Sequence, residues 1–435
     1  MTSPPRVLIV SEHASARFGG EAALPLHYFR VLRHRGYNVW LITHARTREE
    51  LSQTFPGEQR IVYVEDTRLH ILMWRLSKWL PGQIAYFTTG FVSRFAAQLE
   101  QRKLVRSLVA EEGIDLIHQP MPVSPREPSL MYGFGVPVVI GPMNGGMEYP
   151  PAFARNRGLI ERWLLRAARL ASWGLNRLLP GKRAAALLLV ANERTHRALP
   201  PGLRSPVVEL VENGVDVGLW SAAAVPPQPA SGEVAVTTFA FLGRLVDWKA
   251  VDLLLQAFQR ATGRAAIRLL IIGDGAERAR LQHLAVQLGI LARDRTDVGR
   301  VFFAGWLKQA QCAAELREAD CLVLSSLLEC GGAVVLEAMC AGKPVIATAW
   351  GGPVDYLDPS CGVLVAPDSR ESLIQGFADA MTRLAAAPEL RREMGRRGRE
   401  KVIRDFDWEV KVDRVLALYD QARSNDPSLQ HSPAP

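Results

Sequence analysis

No stretch of the chain approaches the run of about 18 apolar residues that a membrane-crossing helix needs. Ala184 to Ala191 is one of the longest uninterrupted apolar runs and is far too short. Cysteine is scarce. The five cysteines all lie between Cys312 and Cys361, none in a Cys-x-x-Cys pair, so neither a disulfide framework nor a zinc site is favoured. A secretory leader's apolar core and small-residue cleavage site are missing as well. Met1-Thr2-Ser3-Pro4-Pro5-Arg6 leads straight into the strand-like Val7-Leu8-Ile9-Val10, and a cytoplasmic location is expected. The one Asp-x-Asp, Asp405-Phe406-Asp407, stands far along the chain from the candidate ligand loops and reads as structural rather than as a metal site. What remains is ordinary globular material: 48% hydrophobic and 22% charged over 435 residues. That excludes a disordered or fibrous chain and predicts two or three domains.

Charge is unevenly shared. Residues 1–205 carry 27 Lys and Arg against 15 Asp and Glu, and the rest carry 25 against 29. A basic half beside a mildly acidic half predicts two domains with different partners. A basic surface attracts anionic lipid, phosphorylated substrate or nucleic acid. No nucleic-acid-binding module accompanies the charge, so nucleic acid is not expected as a partner.

Strand, loop and helix alternate in both halves. Arg6 to Val10 reads as a strand and Phe18-Gly19-Gly20 as a loop. Glu21 to Arg35 reads as a helix with Leu24, Tyr28, Val31 and Leu32 on one face, and Asn38 to Thr43 as the next strand. Strands follow at Leu116-Ile117, Val136 to Ile140 (before a loop Gly141 to Gly146) and Ala185 to Val190. The Pro/Ala/Ser-rich residues 221–232 read as a surface loop. The pattern then restarts, with strands at Ala235 to Leu242, Ile267 to Ile272, Val301 to Phe303, Cys321 to Leu324 and Val345 to Ala347, and a helix over Lys249 to Ala261. Such alternation predicts two α/β units with helix-covered parallel sheets, binding ligand at the carboxyl ends of their strands.

Three features of the second half point to one chemistry. Gly243-Arg244-Leu245-Val246-Asp247-Trp248-Lys249 follows a strand and precedes a helix. Gly243 lets the chain turn, and a guanidinium fork with a compact ammonium suits a diphosphate. Glu329-Cys330-Gly331-Gly332 opens a helix over residues 333–341, whose glycines leave backbone N–H groups bare for an anion. Glu337, about one turn into that helix, and Glu329 suit the hydroxyls of a ribose or sugar. Trp350-Gly351-Gly352-Pro353 is a third loop at the same sheet edge.

The run from Glu329 to Thr348, with Gly243, Arg244 and Lys249, resembles the donor-binding half of the retaining family-4 glycosyltransferases of the group 1 type. The glutamates eight positions apart are that family's most specific mark. The resemblance covers nearly the whole chain, through Gly19-Gly20, His118-x-Pro120, Asn213-Gly214-Val215-Asp216 and the Trp408 to Tyr419 segment. It implies the GT-B architecture, an α/β fold of two Rossmann-like domains facing across a central cleft. Residues 1–205 would bind the acceptor and 206–407 the nucleotide-sugar donor. A helix over 408–422 would pack back on the first domain, and 423–435 would form a disordered tail.

The resemblance also implies roles. Arg244 and Lys249 would hold the leaving diphosphate, and Glu337 the ribose hydroxyls. Glu329 with the backbone of Gly331 and Gly332 would hold the sugar and distal phosphate. Gly19 and Gly20 would bring N–H groups to the diphosphate and acceptor, and His118 would sit near the anomeric carbon, where a satisfied structural histidine is the competing reading. No metal or other cofactor is implied. The chain departs from the family pattern in Cys330-Gly331-Gly332, where an aromatic or other larger residue before the last Gly is common, at Ala250, where Gly is common, and at Asp355, where Glu is usual.

Arg155 to Arg183 contains eight basic residues and one acid among Leu159, Trp163, Leu164, Leu170, Leu175 and Leu178. Arg68 to Leu80 interleaves Arg68, Arg75 and Lys78 with Ile71, Leu72, Trp74, Leu76 and Trp79. Basic helices with Trp and Leu suit an anionic membrane surface, which predicts peripheral binding on the inner face of the cell membrane and a lipid-linked or growing-polysaccharide acceptor. A solvated packing helix is the alternative. Two further readings stay open: a sugar-nucleotide epimerase of GT-B shape, and an inactive membrane-associated partner in polysaccharide assembly. A nicotinamide enzyme is disfavoured, because Gly273-x-Gly275-x-x-Arg278 lacks the third glycine.

Overall fold

The computed structural model of the chain describes residues 4–79, 86–122, 124–154, 170–221 and 236–424. The loop expected at 221–232 lies outside them apart from Ser221, as do residues 155–169 of the basic segment, Leu80, and the tail beyond Ser424. Contacts divide the chain into two compact units. Residues 1–146, 157–212 and 411–435 make the first, and 147–156 with 213–410 make the second.

The first unit holds β1 (Val7–Val10), β2 (Val39–His44), β3 (Ile61–Val64), β4 (Leu116–Gln119), β5 (Val138–Met143), β6 (Leu187–Val190) and β7 (Val207–Glu209). They form one parallel sheet in the order β3-β2-β1-β4-β5-β6-β7. β1, β2, β4, β5 and β6 are buried at every position, which is why β1 and β6 read as unbroken apolar runs and the others as shorter ones. The edge strands β3 and β7 are only partly buried and gave no such run. Gly141, Pro142 and Met143, expected in a loop, are the end of β5, beyond a register shift. Three helices matter below: α1 (Gly20–His34), α2 (Arg48–Thr54) and α3 (Arg68–Ser77). The face foreseen for α1, Leu24, Tyr28, Val31 and Leu32, is buried.

The second unit holds β8 (Thr237–Leu242), β9 (Ile267–Ile272), β10 (Val301–Gly305), β11 (Cys321–Leu324), β12 (Val345–Thr348) and β13 (Gly362–Val365). This sheet is also parallel, ordered β10-β9-β8-β11-β12-β13. The order reverses between β1 and β4 in one sheet and between β8 and β11 in the other. At such switch points the loops leaving neighbouring strands part and open a crevice.

The last helix, Trp408–Ser424, belongs to the first unit from Lys411 onward. Lys411 Nζ donates to the Val211 carbonyl, Arg35 pairs with Asp413 at 2.5 Å, and the Tyr419 hydroxyl lies 2.7 Å from His118 Nδ1. His118 is wholly buried. Its Nε2 is 2.6 Å from the Gly141 carbonyl, which can only accept. Nε2 therefore carries the proton, and Nδ1 accepts from Tyr419. Replacing Tyr419 with Phe leaves Nδ1 buried without a donor and should cost about 1–3 kcal/mol, read as a lower urea midpoint at unchanged m-value.

Candidate functional site

The loops that leave β8 and β11 flank the reversal in the second sheet, and they carry most of the residues singled out from the sequence. Glycine sets how closely they pack. Gly243 N–H donates to the Ile272 carbonyl (3.0 Å), Leu245 N–H to Asp274 (2.9 Å), Gly273 N–H to Gly305 (2.8 Å) and Gly352 N–H to Glu329 (2.8 Å). A Cβ on Gly273 would stand 1.9 Å from the Gly243 carbonyl oxygen, and one on Gly352 would stand 1.9 Å from that of Gly331. Backbone thus touches backbone along the rim, and no side chain fits between.

The helix expected from Lys249 begins later. Asp247–Lys249 is a 3₁₀ turn, Ala250 is left-handed at φ 49°, and the α-helix runs Val251–Thr262. Ala250 is the position where the family pattern has Gly, and it carries the strain that Gly would not. Lys249 is thereby held outside the helix. Its ammonium is paired with the Glu329 carboxylate, and both side chains are largely buried, 13% and 14% exposed. The Ser325 hydroxyl bonds the Lys249 carbonyl at 2.8 Å, and Leu327 N–H bonds that of Trp248 at 2.8 Å, stitching the two loops together. Arg244 is exposed on the same loop, and its guanidinium makes no hydrogen bond or ion pair with the described residues.

The helix after Gly331-Gly332 is Ala333–Cys340, and no side chain caps its N-terminus. Gly332 takes φ 82°, with Glu329 Cγ 3.0 Å from where its Cβ would be. Glu337 is half-buried, and burial alone pushes its carboxyl up to about 8. Trp350 Nε1 donates to the Glu148 carbonyl at 2.8 Å, within the segment 147–156 that counts with this unit; nothing in the composition of that segment signalled it. The loop read at Trp350 to Pro353 is a turn into the short helix Gly352–Tyr356.

In the first unit, Gly19 and Gly20 lie exposed at the start of α1. His118 departs from its expected role. Burial lowers it to about 4, and both ring nitrogens are committed, to Gly141 and Tyr419. It presents no atom to a substrate, and the structural reading replaces the catalytic one. Asp407 forms a backbone bridge with Val215, and Gly214 packs under the Trp408 ring.

Among the described residues, one cluster has metal-ligand chemistry: His44, Asp66 and His70. Three of its four ring nitrogens are committed, while His44 Nε2 is buried without a hydrogen-bond partner, 3.4 Å from the Asp66 carboxylate. His44 Nδ1 accepts from Arg46 N–H at 3.2 Å. His70 Nδ1 accepts from Thr67 N–H at 3.0 Å while Nε2 donates to the Ser93 carbonyl at 3.1 Å. His70 ties the start of α3 to the Ser93 carbonyl, and its ring meets that of His44 edge-on at 6.0 Å.

Comparison with known proteins adds three findings. Residues 234–401 match the family described as "Glycosyl transferases group 1". The lipopolysaccharide core biosynthesis glycosyltransferase LpsE of Rhizobium meliloti (strain 1021) is 34% identical over 191 residues, 44% of this chain and 50% of that one. The chain spans about half the length of the first curated relatives it matches. Two solved structures superpose over almost the full length. A glycosyltransferase from Rickettsia africae gives a TM-score of 0.66 at 16% identity, covering 98% of this chain and 100% of that one. Anabaena HepE in complex with UDP gives 0.63 at 16% identity, covering 95% and 99%. The fold is GT-B, the two-domain Rossmann-like α/β architecture.

The glycine packing is directly testable. Gly273→Ala should cost about 3 kcal/mol or more. Gly263→Ala, with φ −73° and open space around the added methyl, should stay within about 0.5 kcal/mol. Urea denaturation of the two variants side by side measures the contrast.

Proposed function

We propose that the protein is a glycosyltransferase that moves a sugar, with retention and without a metal ion, from a nucleoside-diphosphate sugar to a sugar or lipid-linked acceptor of a growing polysaccharide or glycolipid. The observation that carries this reading is the switch-point rim of the second unit. There an unpaired guanidinium (Arg244), a largely buried ammonium (Lys249) and an uncapped helix N-terminus (Gly331, Gly332) come from the two loops that flank the crevice. The match to the group 1 family over residues 234–401 covers this same unit.

Cleaving a sugar–phosphate bond builds negative charge on the leaving diphosphate and positive charge on the sugar. Fixed cations and backbone N–H groups aimed at the diphosphate stabilise that charge without reorganising. Glu329 holds the Lys249 side chain in place before the ligand arrives, and it remains beside the ammonium to accept from sugar hydroxyls. A leaving-phosphate oxygen takes the acceptor proton, so a second catalytic carboxylate is not needed and the paired-acid logic of glycosidases does not apply. Arg244→Ala is the cleaner test of diphosphate binding, because the side chain is exposed and supports nothing else. Lys249→Ala also leaves the Glu329 carboxylate without its partner, at a cost of the order of 3 kcal/mol.

The carboxyl of Glu337 gives the reading a pH signature. Ribose hydroxyls donate to the ionised form, so nucleotide binding lowers this pKa and releases a proton below about pH 8. UDP affinity should rise with pH up to about 8 and level off above it. Calorimetry in two buffers of different ionisation heat should detect the released proton, and Glu337→Gln should lose both the pH dependence and about tenfold in affinity. Stability moves in the opposite direction. The folded state binds this proton more tightly than the unfolded chain, so stability falls as pH rises from about 4.5 toward 8, and Glu337→Gln should melt higher than wild type at pH 8. Affinity that is flat across this range contradicts the ribose role.

An anionic membrane surface completes the proposal. No helix of the described residues is long and apolar enough to cross a membrane. On α3 and just beyond it, Leu69, Ile71, Leu72, Trp74, Leu76 and Trp79 are exposed, Trp79 at 87%, beside exposed Arg68, Arg75 and Lys78. Lys78 lies 3.6 Å from the Trp74 ring centre. Apolar side chains interleaved with cations suit the boundary between acyl chains and anionic headgroups. Vesicles containing phosphatidylglycerol should sediment the protein at low salt. Arg75→Ala with Lys78→Ala should weaken that by about tenfold or more, at about 1 kcal/mol per cation.

A further inference from the structure

We infer that Glu50 and Ser15 are positioning residues that preset the Gly19–Gly20 backbone for an anionic ligand; this deepens the donor reading above and rests on it. Ser15 follows β1 and is wholly buried. Its hydroxyl donates to Glu50 Oε2 at 2.5 Å and accepts from the N–H groups of Arg17 (3.0 Å) and Phe18 (3.3 Å). The other Glu50 oxygen accepts from Ala16 N–H at 2.8 Å. Ser15 N–H closes onto the Ala22 carbonyl in the first turn of α1, at 2.9 Å. Glu50 stands on α2, anchored by buried Leu51, and Gln53 of the same helix receives the Arg17 guanidinium at 3.5 Å.

The division of labour is sharp. The donors of Ala16, Arg17 and Phe18 are all spent inward on one carboxylate and one hydroxyl. The next two residues, Gly19 (φ 104°) and Gly20, face open space, with no atom within 4 Å of where a side chain would start. A carboxylate close to an anion site would repel the ligand if its charge were idle. Here both oxygens are occupied, and the charge is consumed in holding the loop. The three inward bonds fix the chain direction at Phe18, and so the direction in which the glycine N–H groups point before any ligand arrives. Presetting of this kind lowers the ordering cost at the charge-developing step rather than the strength of ground-state nucleotide binding.

The test uses the full chain, UDP as binding probe and hydrolysis of a panel of UDP-hexoses without acceptor as turnover. Glu50→Ala should lower kcat about tenfold while the Kd for UDP stays within twofold. Glu50→Gln keeps one of the two acceptors, for the Ala16 N–H or the Ser15 hydroxyl but not both, and should fall between wild type and Glu50→Ala. Ser15→Ala should act like Glu50→Ala and serves in its place if that variant does not fold. The double variant should be no worse than the weaker single, because the two residues act in series. Wild-type turnover in Glu50→Ala, Glu50→Gln as impaired as Glu50→Ala, or a double variant that multiplies the two losses would each overturn the positioning role and leave the donor reading standing. Failure of the wild-type protein to bind UDP or any UDP-hexose would overturn the donor reading, and the positioning role with it.

Discussion

Direct contact between backbones at the carboxyl edge of the second sheet is the constraint on which the candidate site rests. Gly243 against Gly273, and Gly331 against Gly352, bring four loops closer than any Cβ would permit. Their N–H and C=O groups then satisfy one another instead of water. The loops that carry Lys249 and Glu329 are joined by Ser325 Oγ to the Lys249 carbonyl and Leu327 N–H to the Trp248 carbonyl. The glycines pack each of these loops onto its neighbour, and the ion pair between Lys249 and Glu329 bridges the two loops beside the strand-order reversal.

Much of this was legible from residue order, for identifiable reasons. β1, β2, β11 and β12 are buried at every position, and β8 and β9 at most, so they appear as near-continuous apolar runs. Gly243, Gly331 and Gly332 announced their loops because glycine beside a strand end has few other uses. The edge strands β3, β7 and β13 were missed, because partial exposure dilutes an apolar run of three or four residues. The start of the helix after Lys249 was misplaced, because Ala250 gives no sign that it will take a left-handed conformation. His118 shows the limit most clearly: nothing local to it reveals a hydroxyl arriving from Tyr419, 301 positions away. The Ser15–Glu50 clamp has the same character, since its partners lie on separate elements.

Burial perturbs several charges that have different duties. Lys182, wholly buried, donates to the carbonyls of Ser124 (3.3 Å) and Pro125 (2.5 Å), and desolvation draws it down to about 7. Lys411 is lowered to a similar value for the same reason, against the opposing pull of Glu212. Both ammonium groups serve backbone carbonyls that no helix or sheet satisfies, which is structural work. Glu337 differs: desolvation alone shifts it, with no cation to compensate. An acid left in that condition on an otherwise apolar helix is the kind of perturbed group that marks a ligand site.

Ala250 offers engineers of this protein a place to begin. Its backbone sits in a conformation that side-chain-bearing residues enter at a cost of about 1–2 kcal/mol, and that cost is present whether or not anything is bound. A residue tolerant of that geometry, Gly or Asn, would relieve it one position away from Lys249, trading looseness in the unfolded chain against ease in the folded one. The heat tolerance of the protein can thus be tuned from a single backbone position whose own side chain is only a methyl group.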